Sequence, residues 1–145
     1  MIVIASDHAA LAEKAAVIEF LTKNNFKVED LGPFDATPCD YPDYAKKVCQ
    51  QVADKKAKFG ILICGTGIGM SIAANKIDGI RCALCSDTFS AKATREHNDT
   101  NVLALGARVL GMGLMLDIVK DFVTTNFSND TRHINRINKI MDLEK

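Results

Sequence analysis

Short runs of apolar residues alternate along the chain with longer segments in which apolar side chains recur at helical spacing. The most continuous run is Phe59-Gly60-Ile61-Leu62-Ile63, the kind of strand that is buried on both faces of a parallel sheet. Four similar runs lie at 2–5, 26–31, 80–84 and 102–105. Strands that alternate with helices predict an α/β fold with a five-stranded parallel sheet and right-handed crossovers.

Helical patterns and turn residues place the remaining elements. All three prolines fall between Gly32 and Asp43, which predicts a loop there. Ser86 or Asp87 is the predicted N-cap of the helix after the fourth strand. The predicted helices follow the first strand from Leu11, follow the loop from Tyr44, and cover about 68–74, 86–96, 110–122 and 131–143.

Length and charge limit the classes of protein that fit. At 145 residues, with no repeat and no low-complexity segment, the chain is expected to form one domain over 1–145. Basic and acidic residues both number 18, so nothing indicates general attraction to nucleic acid or membranes. The first residues look like a strand and not a signal peptide, and no apolar run reaches membrane-spanning length. We therefore expect a cytoplasmic protein with its five cysteines reduced.

Cys64 ends the third predicted strand and is followed by Gly65, Gly67 and Gly69. Alternating glycines at a strand-to-helix turn can point backbone amides into one concavity, which favours negative charge. A cysteine there is expected to form a thiolate readily, and the same amides could stabilise an oxyanion on a bound carbonyl. Together these features predict proton abstraction next to a carbonyl. A buried structural cysteine in a tight turn is the alternative.

Three other interpretations of cysteine and glycine motifs are weaker or excluded. The glycine loop misses the dinucleotide-binding spacing, because Met70 stands where the third glycine belongs, although Asp87 lies about twenty residues on as that motif requires. No Gly-Lys-Ser/Thr follows, so a P-loop is excluded. Cys82 and Cys85 have redox-motif spacing, but no helix begins between them.

Further polar residues are candidates for a site at the carboxyl ends of the strands. Asp7 and His8 follow the first strand, where a helix cap and a surface histidine are the plainer interpretation. His97 ends the fourth helix, where the helix dipole alone would favour it, but it could also act as a general acid–base. Arg132 and Arg136 share one face of the last helix and could clamp a phosphate, or form a solvated basic face.

Taken together, these segments resemble the type B ribose-5-phosphate isomerase family, which includes the galactose-6-phosphate isomerase subunits. The similarity covers nearly the whole chain in the family's order. The matching segments are 6–8, 40–42, 63–76, 79–81, 95–103, 106–109, and Arg132-His133 with Arg136. One departure is Ala9-Ala10, where the family usually has a glycine after the Asp-His pair.

The resemblance implies a Rossmann-like three-layer α/β sandwich with helices on both faces and a C-terminal helix that reaches toward a partner subunit. It implies a homodimer, or a tetramer, with active sites between subunits and with no metal and no organic cofactor. In the family the residues around His97 and Arg108 typically come from the other subunit.

The resemblance also implies a role for each matched residue. Cys64 is the catalytic base, Thr66 assists at the reacting oxygens, and His97 opens the furanose ring. The amides of Gly65, Gly67 and Gly69 bind the enediolate. The implied substrate-binding residues are Asp7, His8, Tyr41, Asn98, Arg108, Arg132 and Arg136.

These roles predict an enzyme that interconverts D-ribose 5-phosphate and D-ribulose 5-phosphate through a cis-enediolate, as in the non-oxidative pentose phosphate pathway. An isomerase of a hexose 6-phosphate, allose or galactose, would need the same chemistry. A non-catalytic phosphosugar-binding module would explain the arginines but not an activated cysteine.

Overall fold

The computed structural model describes residues 1–145 and contains five strands and six helices. The strands are β1 (Ile2–Ser6), β2 (Val28–Asp30), β3 (Phe59–Cys64), β4 (Cys82–Leu84) and β5 (Val102–Gly106). The helices are α1 (Leu11–Lys23), α2 (Tyr41–Ala53), α3 (Ile68–Asn75), α4 (Thr88–Asn98), α5 (Met112–Thr124) and α6 (Thr131–Asp142).

The five strands form one all-parallel sheet in the order β2-β1-β3-β5-β4. In the register of the central strands, Ser6 of β1 lies opposite Ile63 and Cys64 of β3 lies opposite Gly106 of β5. The carboxyl ends of β1, β3 and β5 therefore lie side by side. In open parallel sheets, ligands bind beyond this edge.

Helices cover both faces of the sheet, which confirms the predicted three-layer α/β fold. Successive residues of a strand point to opposite faces, so Ile2 and Ile4 join one core while Val3 and Ala5 join the other. The first core contains the buried faces of α1, α4 and α5, and the second contains those of α2 and α3. Burial on both faces explains why the strands are apolar without alternation.

The predicted loop over 32–43 is partly wrong, because α2 begins at Tyr41. Pro42 lies in the first turn, where a helix needs no amide donor, so the proline does not prevent the helix. Asp87 is the N-cap of α4, as predicted, and its carboxylate accepts a hydrogen bond from the Ser90 amide at 2.6 Å. The strands β2 and β4 are shorter than predicted, with three residues each.

A buried lysine joins α1 to the loop after β2. The side chain of Lys14 is 4% exposed, and its Nζ donates to the Asp30 carboxylate at 2.8 Å. The same Nζ donates to the carbonyl oxygen of Pro33 at 2.6 Å. This lysine therefore fixes the start of the loop that leads to Tyr41.

The last helix packs against the fold through its inner face. His133 and Ile137 are buried, while most of the other α6 residues are exposed. Just beyond α6, the Glu144 carboxylate accepts a hydrogen bond from the amide of Gly79 at 2.8 Å. None of the helices has the length and apolar character that a membrane span requires.

Candidate active site

Backbone hydrogen bonds bring three segments together around Cys64. The carbonyl oxygen of Cys64 accepts from the Ala107 amide at 2.8 Å, and that of Gly65 accepts from the Arg108 amide at 2.9 Å. On the other side, the Asp7 amide donates to the Ile63 carbonyl oxygen at 2.9 Å. The residues that follow β1, β3 and β5 are thus locked next to one another.

Gly67 turns the chain from β3 into α3. Its φ of 78° lies in the left-handed region, and a Cβ would lie 2.5 Å from Leu84 Cδ1 and 2.9 Å from the backbone carbon of Leu105. In this conformation the Gly67 amide donates to the Sγ of Cys64 at 3.2 Å. The backbone amide of Gly67 is thus directed at the sulfur of the residue that the sequence predicts as the base.

The Cys64 thiol lies 5% exposed at the bottom of a cleft of about 520 Å³. We call this cavity the thiol cleft. Seven of its nine lining residues were predicted as site residues: Asp7, Tyr41, Cys64, Gly65, Thr66, Gly69 and Arg108. The other two, Ile68 and Ile72, were not predicted, because an apolar residue in a helix gives no sequence signal for a site.

Tyr41 borders the thiol cleft because Gly69 has no side chain. A Cβ on Gly69 would lie 2.5 Å from Cζ of the Tyr41 ring. The hydroxyl of Thr66 is held in the loop as well, since its Oγ1 accepts from the Ile68 amide at 3.2 Å. The glycine spacing therefore serves both the turn and the close approach of an aromatic ring.

Arg108 lines the thiol cleft of its own chain, and its side chain lies over Gly65. The nearest approach is 3.6 Å, from Arg108 Cδ to a Cβ built on Gly65. The hydrogen bond from the Arg108 amide to the Gly65 carbonyl oxygen fixes the backbone of Arg108 at the wall of the thiol cleft. The expectation that residues around Arg108 come from a partner subunit stays a prediction.

His8 lies next to Asp7 but is not a lining residue of the thiol cleft. Its Nδ1 accepts a hydrogen bond from the Cys39 amide at 3.2 Å. Asp7 is not the cap of α1, which begins at Leu11 after Ala10. The Asp7 carboxylate instead accepts from the Ala9 amide at 3.0 Å, and Asp7 lines the thiol cleft.

The remaining predicted residues lie elsewhere in the chain. We call His97, Asn98, Arg132 and Arg136 the histidine–arginine cluster. All four are exposed, on the end of α4 and the first turns of α6, and none lines the thiol cleft of the same chain. The ring of His97 contacts that of His133, with centroids 4.6 Å apart. Asn98 lines a separate cavity of about 570 Å³ beside the end of α6.

Two arginines hold the end of α4 in place. Arg95 is 5% exposed and donates to the Asp99 carboxylate at 2.9 Å. Arg81 donates to the carbonyl oxygens of Asn98 at 2.9 Å and Asp99 at 2.6 Å. Asp99 ends the helix with a φ of 44°, which these bonds stabilise. The positions of His97 and Asn98 therefore depend on side-chain contacts.

Three of the four cysteines outside the thiol cleft do not have the surroundings of redox centres, namely Cys49, Cys82 and Cys85. Burial raises the pKa of Cys85 to about 11 and that of Cys49 to about 12. Burial also raises the pKa of Cys82, with smaller contributions from Cys49 and Cys85. Thiols of this kind stay protonated near neutral pH, which disfavours a redox role for Cys82 and Cys85.

Comparisons with known proteins agree with this arrangement. The model of the Ribose/Galactose Isomerase family matches residues 2–140. This match, together with a parallel sheet that carries a cysteine and a glycine loop at its carboxyl edge, defines the class of the protein as a sugar-phosphate isomerase. The chain belongs to the ribose/galactose isomerase family.

Individual relatives are similar over their whole length. YwlF of Bacillus subtilis, which carries the provisional name of a sugar phosphate isomerase, is 51% identical over 99% of this chain and 97% of its own. Ribose-5-phosphate isomerase B of Escherichia coli is 42% identical over 96% of this chain and 93% of its own. The structure of ribose-5-phosphate isomerase B from Mycoplasma genitalium with bound ribulose-5-phosphate superimposes with a TM-score of 0.94, at 41% identity over 99% of this chain and 95% of that one.

Proposed function

We propose that this chain interconverts D-ribose 5-phosphate and D-ribulose 5-phosphate. The observation that carries the proposal is the Cys64 thiol, at the bottom of the thiol cleft, with the Gly67 amide directed at its sulfur. The relatives from Escherichia coli and Mycoplasma genitalium bear the name of this activity, and the latter holds ribulose-5-phosphate.

The proton transfer is assigned to the thiol cleft. The Cys64 thiolate takes the proton from C2 of the open-chain aldose and returns it to C1. The oxygen that becomes an enediolate faces the amides of Gly65, Gly67 and Gly69, and the Thr66 hydroxyl assists at the reacting oxygens. Donors fixed by the fold stabilise this charge without reorganising during the reaction. Asp7 and Tyr41 hold sugar hydroxyls at the cleft wall.

Ring opening and phosphate binding are assigned to the histidine–arginine cluster. His97 moves a proton from O1 to the ring oxygen as the C1–O4 bond breaks and the C1 carbonyl forms. Asn98 holds a hydroxyl, while Arg132 and Arg136 bind the phosphate, together with His8 and Arg108. Phosphate binding far from C1 and C2 supplies energy that orients the reacting carbons.

The separation of these two groups of residues supports a homodimer with shared sites. His97 and Asn98 are exposed and do not line the thiol cleft of their own chain. The apolar side chains at the cleft mouth, Ile68 and Ile72, are 51% and 57% exposed. A partner that covers them would bring its own histidine–arginine cluster to the cleft and bury this apolar surface.

Mixing two inactive variants tests the shared site. Cys64→Ala and His97→Ala are each expected to be inactive, but a hybrid dimer would contain one site with both residues intact. Because random mixing makes half of the dimers hybrid, subunit exchange should restore about a quarter of the wild-type activity. If the mixture regains no isomerase activity after unfolding and refolding, the sites are not shared. Light scattering measures the size of the particle and so reports whether a dimer forms.

A substrate series tests the activity itself. We expect kcat/KM to be highest for ribose 5-phosphate and lower for allose 6-phosphate and galactose 6-phosphate. The description of the matching family includes galactose, so a preference for galactose 6-phosphate is the specific competing outcome. Absence of isomerisation with all three sugars would support a binding module instead.

A further inference from the structure

His133 is a buried histidine that the proposed mechanism does not use. It is 7% exposed, although its neighbours Arg132 and Ile134 on α6 are exposed. Its ring lies against the ring of His97, with centroids 4.6 Å apart and planes tilted by 39°. His133 is thus the side chain of α6 that contacts the proposed ring-opening residue directly.

One serine fixes the ring of His133 and joins it to α4. The Oγ of Ser128 is 2.7 Å from Nδ1 of His133, and the same oxygen accepts from the Asp130 amide at 3.1 Å. The Ser128 amide donates to the carbonyl oxygen of Glu96 at 3.2 Å, in the last turn of α4. The end of α4 and the start of α6 are therefore held as one unit, and the two histidine rings meet at this junction.

The surroundings of His133 favour its neutral form. Burial lowers its pKa most, and the nearby positive or titratable groups His97, Arg132 and Arg136 lower it further, while Asp130 opposes them. A neutral ring next to His97 does not repel the imidazolium that forms when His97 takes up a proton. A charged ring at this separation would oppose that protonation.

We propose that His133 is a positioning residue for ring opening, which holds the imidazole of His97 in place through ring contact and through its bond to Ser128. This inference rests on the proposed function, in which His97 moves the proton between O1 and the ring oxygen. It predicts a defect confined to substrates that must open a ring.

The two sugar phosphates separate this step from the later one. Ribulose 5-phosphate cannot close to a furanose, because its O5 is esterified with phosphate. Exchange of its C1 proton with solvent deuterium therefore reports enediolate formation by Cys64 alone. Conversion of ribose 5-phosphate requires both ring opening and enediolate formation.

The test measures both reactions in His133→Ala. We expect kcat/KM for ribose 5-phosphate to fall about tenfold, since a misplaced acid–base loses part of its effect, while deuterium exchange stays within about twofold. The pH at which the ribose 5-phosphate reaction loses half its rate should also shift. Equal slowing of both reactions, or no change in either, would overturn the positioning role.

Ile137→Ala is the matched control, because Ile137 is buried on α6 one turn later at 9% exposure. It removes packing without touching the ring contact, so it should not separate the two reactions. Should His133→Ala fail to fold, Ser128→Ala asks the same question from an exposed position. In Ser128→Ala, kcat/KM for ribose 5-phosphate should fall less than in His133→Ala, while deuterium exchange is again retained. If Ser128→Ala shows no such selective loss, the proposal is equally rejected.

Two further measurements distinguish failure of this inference from failure of the proposed function. If wild-type protein neither isomerises nor exchanges, the proposed activity is wrong. If His97→Ala slows both reactions equally, the ring-opening role of His97 is wrong. Where His97→Ala shows a selective defect, the lack of one in His133→Ala, or in Ser128→Ala should His133→Ala fail to fold, counts against His133 itself.

Discussion

The thiol cleft and the histidine–arginine cluster are held in place by different kinds of interaction. In the thiol cleft, backbone hydrogen bonds from Ala107, Arg108 and Asp7 lock the glycine loop to the sheet. The histidine–arginine cluster depends on side chains, in particular on Arg81, Arg95 and His133. The proposed base is therefore placed by the fold of the sheet, whereas the proposed ring-opening acid is placed by contacts between helices.

The difference also concerns exposure. Cys64 is 5% exposed at the end of a buried strand, while His97, Arg132 and Arg136 project from helix surfaces. In the proposed shared site, the cluster has to be exposed before a second subunit binds, whereas the proposed base needs a fixed set of amide donors. Changes in the thiol cleft should therefore affect kcat, and changes in the cluster should affect binding or single steps.

The largest effect is expected at the base. Cys64→Ala removes the group that transfers the proton, so kcat should fall by about 10²–10⁴-fold while the protein stays folded. Steady-state kinetics with ribose 5-phosphate and circular dichroism measure the two quantities. Cys85→Ala is the control, because it also removes a buried thiol but lies outside the thiol cleft. Near-normal kcat in Cys64→Ala would refute the assignment of the base.

The next largest effect is expected at the turn. Gly67→Ala puts a side chain at a φ of 78° and against Leu84 and the backbone of Leu105, so the loop must move and its amide must leave the sulfur. We expect kcat to fall about 10²-fold, as for loss of an oxyanion donor. Stability should fall by about 1–3 kcal/mol in urea denaturation. Gly111→Ala is the matched control, since nothing lies within 4 Å of its added Cβ; equal behaviour of the two variants would show that the turn geometry is unimportant.

A smaller effect of a different kind is expected in the cluster. Arg136→Ala removes one charged donor to the phosphate, so KM should rise about tenfold with a smaller change in kcat. Arg136 is exposed, and stability should not change. Lys139→Ala, which removes a positive charge from the same face of α6, should leave KM close to the wild-type value. A kcat effect in Arg136→Ala as large as that of Cys64→Ala would erase the distinction between the two regions.

The smallest effect concerns the pH dependence of stability. Burial and the nearby His97, Arg132 and Arg136 lower the pKa of His133 in the folded state. In the unfolded chain its pKa is about 6.5, so below that pH the unfolded chain binds more protons than the folded chain. Stability is therefore lost as pH falls below that value. His133→Phe should reduce this loss, measured by urea denaturation at pH 7.5 and pH 5.5. Identical pH dependence in both proteins would mean that His133 takes up its proton as readily in the folded state.

The sequence predicts the thiol cleft better than it predicts the cluster. Cys64 and its glycines lie next to each other along the chain, and a strand followed by a glycine turn has few possible geometries. Only the family resemblance points to Tyr41, and the sequence does not show where its helix begins, because Pro42 is compatible with a first helical turn.

The position of the cluster relative to the cleft depends on how helices pack, which local pattern does not encode. His97, Arg132 and Arg136 were identified as residues, but their distance from the cleft of the same chain was visible only in the structure. The family resemblance includes His133 in a matched motif but implies no role for it. Its signal was the spacing to Ile137, four residues on, which places both on the buried face of α6.

The contact of Lys14 with Asp30 and Pro33 has a consequence for how sequences of this family can change. A buried ammonium that loses its carboxylate keeps only the Pro33 carbonyl as acceptor, which costs more than replacing both partners by apolar side chains. A lineage that alters position 14 or 30 alone therefore passes through a less stable protein. Residues 14 and 30 should therefore change together among relatives, which would reveal their contact from sequences alone.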